Sequence, residues 1–395
     1  MTTLDVPLPK SPVLGWASFS RVKTPKVASV EDLRNRLVLT SGRAAIYQAL
    51  LQLRLPPGSG VLVPTYHCPT IVAPVLLAKH NVHYFGIQSN GLPALDTIDA
   101  GAAMHCRAMI VAHYFGLPKS LAPVRQWCDL NGIALIEDCA HSYFGDAGER
   151  PVGAWGDYAT ASISKFFPVS EGGLLASAHH AIPAPNLVKP SWKAQLKAWA
   201  DIFEVASRHR RLAGINGLLR AVFWLKNAGV AATDAVASKT TVSETTLMDD
   251  CDMARIAQEP VAATKFLSQH LPHGRVIDRR RRNFELYGRK FSKAKGARPI
   301  FPALQAASAP YVFPLWVEDS ERVYQALRKM KMPVFRWDRI WPGTPVLPND
   351  EGLLWSQHVL QLLCHQDLGE TDVENVSNTI LELLALVNGD RSKPT

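Results

Sequence analysis

From residue 40 to about residue 180 the chain alternates short apolar runs with stretches of helical spacing, and this alternation restricts the fold more than any other feature. "GRAAIYQALLQL" carries apolar residues at helical intervals, with Thr40 and Ser41 placed to cap it. "PPGSG" interrupts the helix, and "VLVP" (61–64) reads as a short buried strand. Pro69 suits the first turn of a second helix, "PTIVAPVLLAK". "VHYFGI", "AMIVAHYFG" and "IALIED" read as further strands, and "SLAPVRQWCDLNG" as a helix that stops at Asn131-Gly132. "YATASIS" and "GLLASA" read as a strand pair around "ISKFFPVSEGG" (163–173). Strands alternating with helices predict an α/β fold, a mostly parallel central sheet covered by helices on both faces.

The pattern changes after about residue 180. Residues 185–245 look helical but uneven. From about 250 a long helix is expected to run through "RRRRNFELYGRKF" into a smaller α+β region, with "YVFPLWVE" as a strand, "SERVYQALRKM" as a helix and a closing helix from Thr371. The expected division is a large domain over 15–245, its part 185–245 an atypical helical segment, and a small C-terminal domain over 246–395.

Charge and cysteine usage narrow the function classes. The formal net charge is +9, and part of the excess sits in the basic runs 208–211 and 279–282. Neither run is interleaved with stacking aromatics, so both read as solvated helix faces and not as a nucleic-acid surface. A basic surface also suits a phosphorylated or nucleotide-linked substrate. The six cysteines, at 68, 106, 128, 139, 251 and 364, form no CxxC pair and no metal spacing with histidine, which predicts free thiols in a reducing compartment and no metal. No apolar run has signal-peptide or membrane-spanning length, so a cytoplasmic protein is expected. Residues 212–232, "LAGINGLLRAVFWLKNAGVAA", have amphipathic character. Packing on their own domain or across a dimer is the first reading, and contact with a membrane the second.

In parallel sheets ligands bind outside the carboxyl ends of the strands. Residues 65–68, His113, Asp138 and His141 all fall at such ends. Lys165 follows Asp138 by 27 residues at the end of the next strand-like run. A lysine with apolar neighbours is ordinarily a snorkelling surface residue, and an Asp–Lys pair is ordinarily a salt bridge. The same pair facing one crevice suits pyridoxal 5′-phosphate: the amine captures the aldehyde, and the carboxylate keeps the ring nitrogen protonated. "TSGRAA" opens a helix with small residues, offering the N–H groups of Gly42 and Arg43 to an anion.

"TSGRAAIYQALLQLRLPPGSGVLVPTYHCPT", "VAHYFGLP", "LIEDCAHSYFG" and "ISKFFPVSEGG" together resemble the DegT/StrS family of fold-type-I, pyridoxal-phosphate-dependent aminotransferases, the sugar aminotransferase group. The motifs stand in the family's order from about 35 to 180, and "VLQLLCHQDLGETDVENV" resembles its C-terminal stretch. The resemblance implies that Lys165 carries the Schiff base and moves the proton in transamination. Asp138 pairs with the pyridine nitrogen, and His141 approaches the cofactor's ring or its 3-oxygen. Gly42 and Arg43 match the phosphate-binding turn, where the family usually has threonine. Thr160 matches a serine that touches the phosphate, with Ser162 as its rival. Glu171-Gly172-Gly173 matches a tight turn after the lysine.

The chain departs from the family in three places. Cys68 takes the position where the family stacks an aromatic on the cofactor ring, with Tyr66 or His67 as a replacement. The asparagine that reaches the partner subunit's phosphate has no clear counterpart, "TTLMDDCDMARI" standing in its region. The segment 185–245 replaces part of the substrate-facing region. Trp337, Trp341 and His365 belong to the part that would close over substrate. The resemblance implies a homodimer that takes nitrogen from glutamate or glutamine and passes it to a keto intermediate, with a nucleotide-linked keto-sugar as first acceptor. The alternatives are a non-sugar ketone in a specialised-metabolite or envelope pathway, and a cofactor-binding regulatory homologue without turnover. A pyridoxamine-dependent sugar dehydratase would carry histidine in place of Lys165.

Overall fold

The structure, a computed structural model, describes residues 8–227 and 243–391. Residues 228–232 of the amphipathic stretch, and 228–242 of the atypical segment, lie outside the described residues.

An eight-stranded sheet forms the centre. In chain order its strands are β1 (Asn35–Leu39), β2 (Gly60–Pro64), β3 (Asn81–Ile87), β4 (Pro93–Ala94), β5 (Cys106–Ala112) and β6 (Ala134–Asp138). A small separate hairpin, β7 (Asp146–Ala147) with β8 (Arg150–Pro151), precedes the last two, β9 (Tyr158–Ser162) and β10 (Gly173–Ser177). The spatial order is β1-β10-β9-β6-β5-β2-β3-β4. Strands β9, β6, β5, β2 and β3 run parallel, and β10 is antiparallel to both neighbours. Every residue of β2, β9 and β10 is buried, as expected for strands covered on both faces.

Local chemistry accounts for the connections. Helix α1 (Gly42–Gln52) starts where Ser41 Oγ accepts the Ala44 N–H at 3.2 Å. Helix α2 (Pro69–Leu77) begins with the proline whose missing N–H costs nothing there. The helix Ala122–Asn131 ends on Gly132 in the left-handed region, φ 63°, which a glycine adopts without strain. Apolar surface removed from water stabilises this core by about 25 cal/mol per Å².

The remainder differs from the sequence-based expectation in one respect. The long helix expected from about 250 is three helices, Glu244–Asp250, Ala262–His270 and His273–Phe291. Pro260 and Pro272 stand at the starts of the second and third, where the pyrrolidine ring bars continuation of a preceding helix. A second, four-stranded sheet follows, wholly antiparallel: β11 (Ala297–Pro299), β12 (Val312–Val317), β13 (Val334–Phe335) and β14 (Val359–Leu363), in the order β11-β12-β14-β13. The helices Ser320–Lys329 and Glu370–Arg391 match "SERVYQALRKM" and the closing helix. No helix among the described residues is long and apolar enough to cross a membrane.

Candidate active site

Lys165 ends a single helical turn, Ile163–Lys165, just past β9. The aromatic residues beside it explain the turn's fixity. Phe166 and Phe167 are fully buried and pack on Tyr143, with ring centroids at 5.4 and 5.5 Å. On the far side, Gly172 (φ 140°) donates its N–H to Thr40 O at 2.7 Å. A Cβ on Gly173 would stand 2.0 Å from Ser41 O, so only glycine lets β10 meet the start of α1. Glu171 secures the turn from outside, accepting the Val261 N–H at 2.8 Å and pairing with Arg255.

Lys165 faces a cavity of about 260 Å³ whose lining includes Lys10, Ser164, Ser170, Tyr311 and His365. Its amine lies 5.1 Å from the centre of the Tyr311 ring. Burial lowers the amine's pKa, opposed by Cys68 and Asp138. Asp138 ends β6, with one oxygen accepting the Ala140 N–H at 3.0 Å. Burial raises its carboxyl pKa, while the Lys165 charge and the Ala140 N–H act against the rise.

His141 is buried, with its ring 4.4 Å from Tyr311 and 4.8 Å from Trp337. Burial, and then the Lys165 charge, push its pKa well down, so the imidazole is neutral at neutral pH. Tyr311 thus touches both the lysine amine and the histidine.

Thr160 is paired with Asp138 across β6 and β9, and its buried hydroxyl meets no hydrogen-bond partner. An orphaned buried hydroxyl costs free energy unless a ligand or water satisfies it. Ser162 Oγ lies 3.4 Å from Ser164 Oγ, and a Cβ on Gly42 would come within 3.7 Å of Ser162 Cβ. Gly42, Ser162 and Thr160 therefore occupy one edge of the sheet. Because Ser41 satisfies Ala44, the N–H groups of Gly42 and Arg43 are the helix-start donors without an intrahelical acceptor. The Arg43 guanidinium turns away to Asp252, at 3.2 Å from its carboxylate and 3.1 Å from its carbonyl. Any contribution of Arg43 to an anion at this edge comes from its backbone.

Of the three candidates for the ring-facing position, Tyr66 and His67 are fully buried and Cys68 is part-buried. Tyr66 packs among Tyr114, Trp337 and Trp355, with Gln361 donating to its hydroxyl at 3.2 Å. Burial pushes the His67 pKa down to about 4, and the neutral ring serves two bonds. Nδ1 donates to Pro64 O at 2.9 Å, and Nε2 accepts the Trp341 N–H at 3.0 Å. Both side chains thus tie the sheet edge to the loop after β13. His365 is buried and bonded through Nε2 to Pro9 O at 3.0 Å, holding the N-terminal segment at the cavity.

The residue that sequence reasoning missed is Arg280. The run 279–282, read as a solvated helix face, contains one fully buried guanidinium. Arg280 donates to Lys165 O at 2.6 Å, Pro310 O at 3.2 Å and Gln366 Oε1 at 3.1 Å, with Phe166 beneath it at 4.3 Å. Burial lowers its pKa to about 10, which leaves it charged at neutral pH. A signal existed. Val276, Ile277, Arg280, Asn283, Phe284, Tyr287 and Phe291 recur at helical spacing, and that stripe is the buried face.

His113 stands apart from the lysine. Its Nε2 is 2.8 Å from Glu137, and with Cys139 the three offer atoms within 4.8 Å of one another. Glu137 also accepts the N–H groups of Gly153, Trp155 and Gly156 at 3.1, 2.6 and 2.6 Å. Four partners occupy the carboxylate's lone pairs, so this cluster works as an internal anchor.

A carboxylate and a lysine at adjacent strand ends, a neutral histidine, an orphaned hydroxyl and glycine-cleared backbone fit a phosphorylated pyridine aldehyde. Residues 26–184 match the model of the DegT/DnrJ/EryC1/StrS aminotransferase family. The chain is 25% identical over 171 residues to the GDP-perosamine synthase of Vibrio cholerae, covering 41% of this chain and 46% of that protein. It is 26% identical over 178 residues to the UDP-N-acetyl-3-dehydro-alpha-D-glucosamine 3-aminotransferase of Acidithiobacillus ferrooxidans, covering 42% and 47%. The match thus spans about half the length of these curated relatives. Among solved structures, the aminotransferase TlmJ from Streptoalloteichus hindustanus superimposes with TM-score 0.57 at 16% identity, covering 90% of this chain and 87% of that one. Spr1654 from Streptococcus pneumoniae, solved in its PLP-form, gives TM-score 0.61 at 14% identity, covering 96% and 99%. Residues 26–184, the stretch that holds Lys165, Asp138 and His141, thus match the DegT/DnrJ/EryC1/StrS aminotransferase family model, and the chain shares its fold with these solved structures.

Proposed function

We propose that this chain is a pyridoxal-phosphate-dependent aminotransferase that moves an amino group from glutamate or glutamine to a keto group, with a nucleotide-linked keto-sugar as the acceptor class. The observation that carries the reading is the convergence of Lys165, Asp138 and His141 at the carboxyl edge of the parallel sheet, beside a cavity. When bound, the cofactor supplies an aldehyde that captures amines and a ring that draws electrons from the captured carbon.

The chain's own residues do the rest. Lys165 Nζ, its pKa lowered by burial, would serve as nucleophile and as carrier of a proton. Asp138, buried at the end of β6 with one oxygen on the Ala140 N–H, would hold a proton on the ring nitrogen. His141, neutral between Tyr311 and Trp337, orients the ring without adding charge. Thr160, Ser162 and the N–H groups of Gly42 and Arg43 would hold the phosphate. Cys68, the part-buried member of the three, would face the cofactor in place of an aromatic, with Tyr66 and His67 buried beside it. The active form is a cytoplasmic homodimer, each subunit built as a cofactor domain over 15–245 and a smaller domain over 246–395.

The relatives favour a sugar acceptor through their names, GDP-perosamine synthase and a UDP-linked 3-aminotransferase. A ketone outside sugar metabolism is the second acceptor class, because 185–245 departs from the family where substrate would lie.

The test is the absorbance spectrum of the purified chain with pyridoxal phosphate, before and after L-glutamate and L-glutamine. A visible band that fades with one of the two supports the reading and names the donor. No band even with added cofactor rejects it. Lys165→Ala should remove the band and lower turnover by about 10⁴-fold or more.

A further inference from the structure

Two neighbouring segments share an unusual surface. The helix Asn216–Asn227 is held to the body through Leu219, while Leu218, Val222 and Trp224 are 70%, 49% and 71% exposed. Ile215, before it, is 38% exposed. Beside it lies the turn Trp16–Phe19, whose Trp16 and Phe19 are 54% and 50% exposed. Trp16 Nε1 donates to Ala213 O at 2.9 Å and its backbone N–H to Arg211 O at 3.4 Å, which joins the two segments. Three of these six side chains are aromatic, two of them tryptophans. An exposed apolar face of this kind on a soluble fold marks a surface that something covers.

Charge identifies what covers it. Residues 8–30 contain four Lys or Arg, residues 205–227 contain five, and neither stretch contains Asp or Glu. Arg21, Lys23, Arg210 and Arg220 are exposed, and none of them makes an ion pair among the described residues. The nearest acids on the preceding helix are spent: Glu204 pairs with Arg208 and Asp201 with Lys197. A second copy packed on this face through a two-fold axis would set the same cations against themselves. Nucleic acid would satisfy the cations but not a ridge of leucine, valine and isoleucine. Apolar and aromatic side chains carried on the same two segments as unpaired cations match the boundary of a bilayer, with acyl chains beneath anionic headgroups.

We propose that the face formed by Trp16–Phe19 and Asn216–Asn227 docks the protein on the surface of a membrane rich in anionic phospholipid. The chain lies on the bilayer and does not enter it, consistent with the lack of a spanning helix among the described residues. The N-terminal segment links this face to the site. Pro12 lines the Lys165 cavity, and Trp16 lies four residues on, a reach of no more than about 14 Å. Docking therefore sets the cavity mouth close to the headgroups. The proposal stands on the surface alone and does not require the aminotransferase reading.

The test is co-sedimentation of the full chain with vesicles of phosphatidylcholine, alone or with one third phosphatidylglycerol. Binding to the anionic vesicles should exceed binding to neutral ones by about tenfold or more and weaken as salt is raised. Arg210→Glu with Arg220→Glu, and separately Leu218→Ser with Trp224→Ser, should each lower it about tenfold, with the thermal midpoint unchanged. Equal binding to both vesicle types, or to neither, overturns the proposal. So does a sedimentation-equilibrium result in which Leu218→Ser with Trp224→Ser turns a dimer into a monomer, because a second copy then owns the face.

Discussion

Glu137 and Asp138 are consecutive carboxylates on β6, and because side chains alternate along a strand they serve opposite faces of the sheet. On the Glu137 face every lone pair is taken: three backbone N–H groups and His113 surround a fully buried carboxylate. On the Asp138 face a single backbone N–H bond, the Lys165 charge and the Thr160 hydroxyl act on a carboxylate that burial destabilises. The first arrangement spends its charge on the fold. The second leaves most of its lone pairs uncommitted. Burial is similar in both, so the count of committed hydrogen bonds separates anchor from reagent better than burial does.

Removing the anchor should produce the largest change. Glu137→Gln puts an amide N–H₂ where only N–H donors point, and should cost about 3–5 kcal/mol in denaturant unfolding. A loss below about 1 kcal/mol would mean that the loop 153–156 relaxes freely, and the contrast with Asp138 would fail.

Asp138→Asn should do the reverse, lowering amino-donor turnover by about 10²-fold while leaving stability equal or higher. The pH dependence carries a definite sign. Asp138's pKa is raised in the native state, so the native chain keeps this proton where the unfolded chain has lost it. Its contribution to stability therefore falls as pH rises from the ordinary carboxylate range to the raised value, and is flat above it. Asp138→Asn should cancel that slope in a pH series of unfolding curves. A variant with the wild-type slope would show that the proton is held elsewhere.

Arg280 sharpens the same contrast at smaller scale, because it is a buried anchor bonded to the backbone carbonyl of Lys165. Arg280→Lys keeps the charge but cannot reach Lys165 O, Pro310 O and Gln366 Oε1 together. It should lower turnover about tenfold and shift the pH–rate profile of the Lys165 step, with about 1–2 kcal/mol lost in stability. An unchanged pH profile with the same stability loss would make Arg280 a packing residue only.

These contrasts bear on what could be read beforehand. The placement of Lys165, Asp138 and His141 at or just past strand ends was legible because the apolar runs that make β6 and β9 stop there. Arg280 was hidden inside a run of four arginines whose composition says solvent, although its helical phase says core. The Arg43 side chain was equally illegible: its partner Asp252 is 209 residues away, in the left-handed backbone conformation (φ 45°). The breaks that divide the long helix expected after 250 fall at Pro260 and Pro272, residues whose effect the sequence did announce.

By itself the sequence determined the alternation that makes a parallel sheet, the strand ends where polar residues gather, and the likeness of residues 26–184 to one family model. Periodicity and local caps are short-range properties, fixed within a few residues by backbone sterics and hydrogen bonding. Only the tertiary structure decided which arginine is buried, which of residues 66–68 is left part-exposed, and which helix face remains uncovered. Those outcomes depend on contacts between residues far apart in the chain, and burial is a property of the assembled core that no single segment contains.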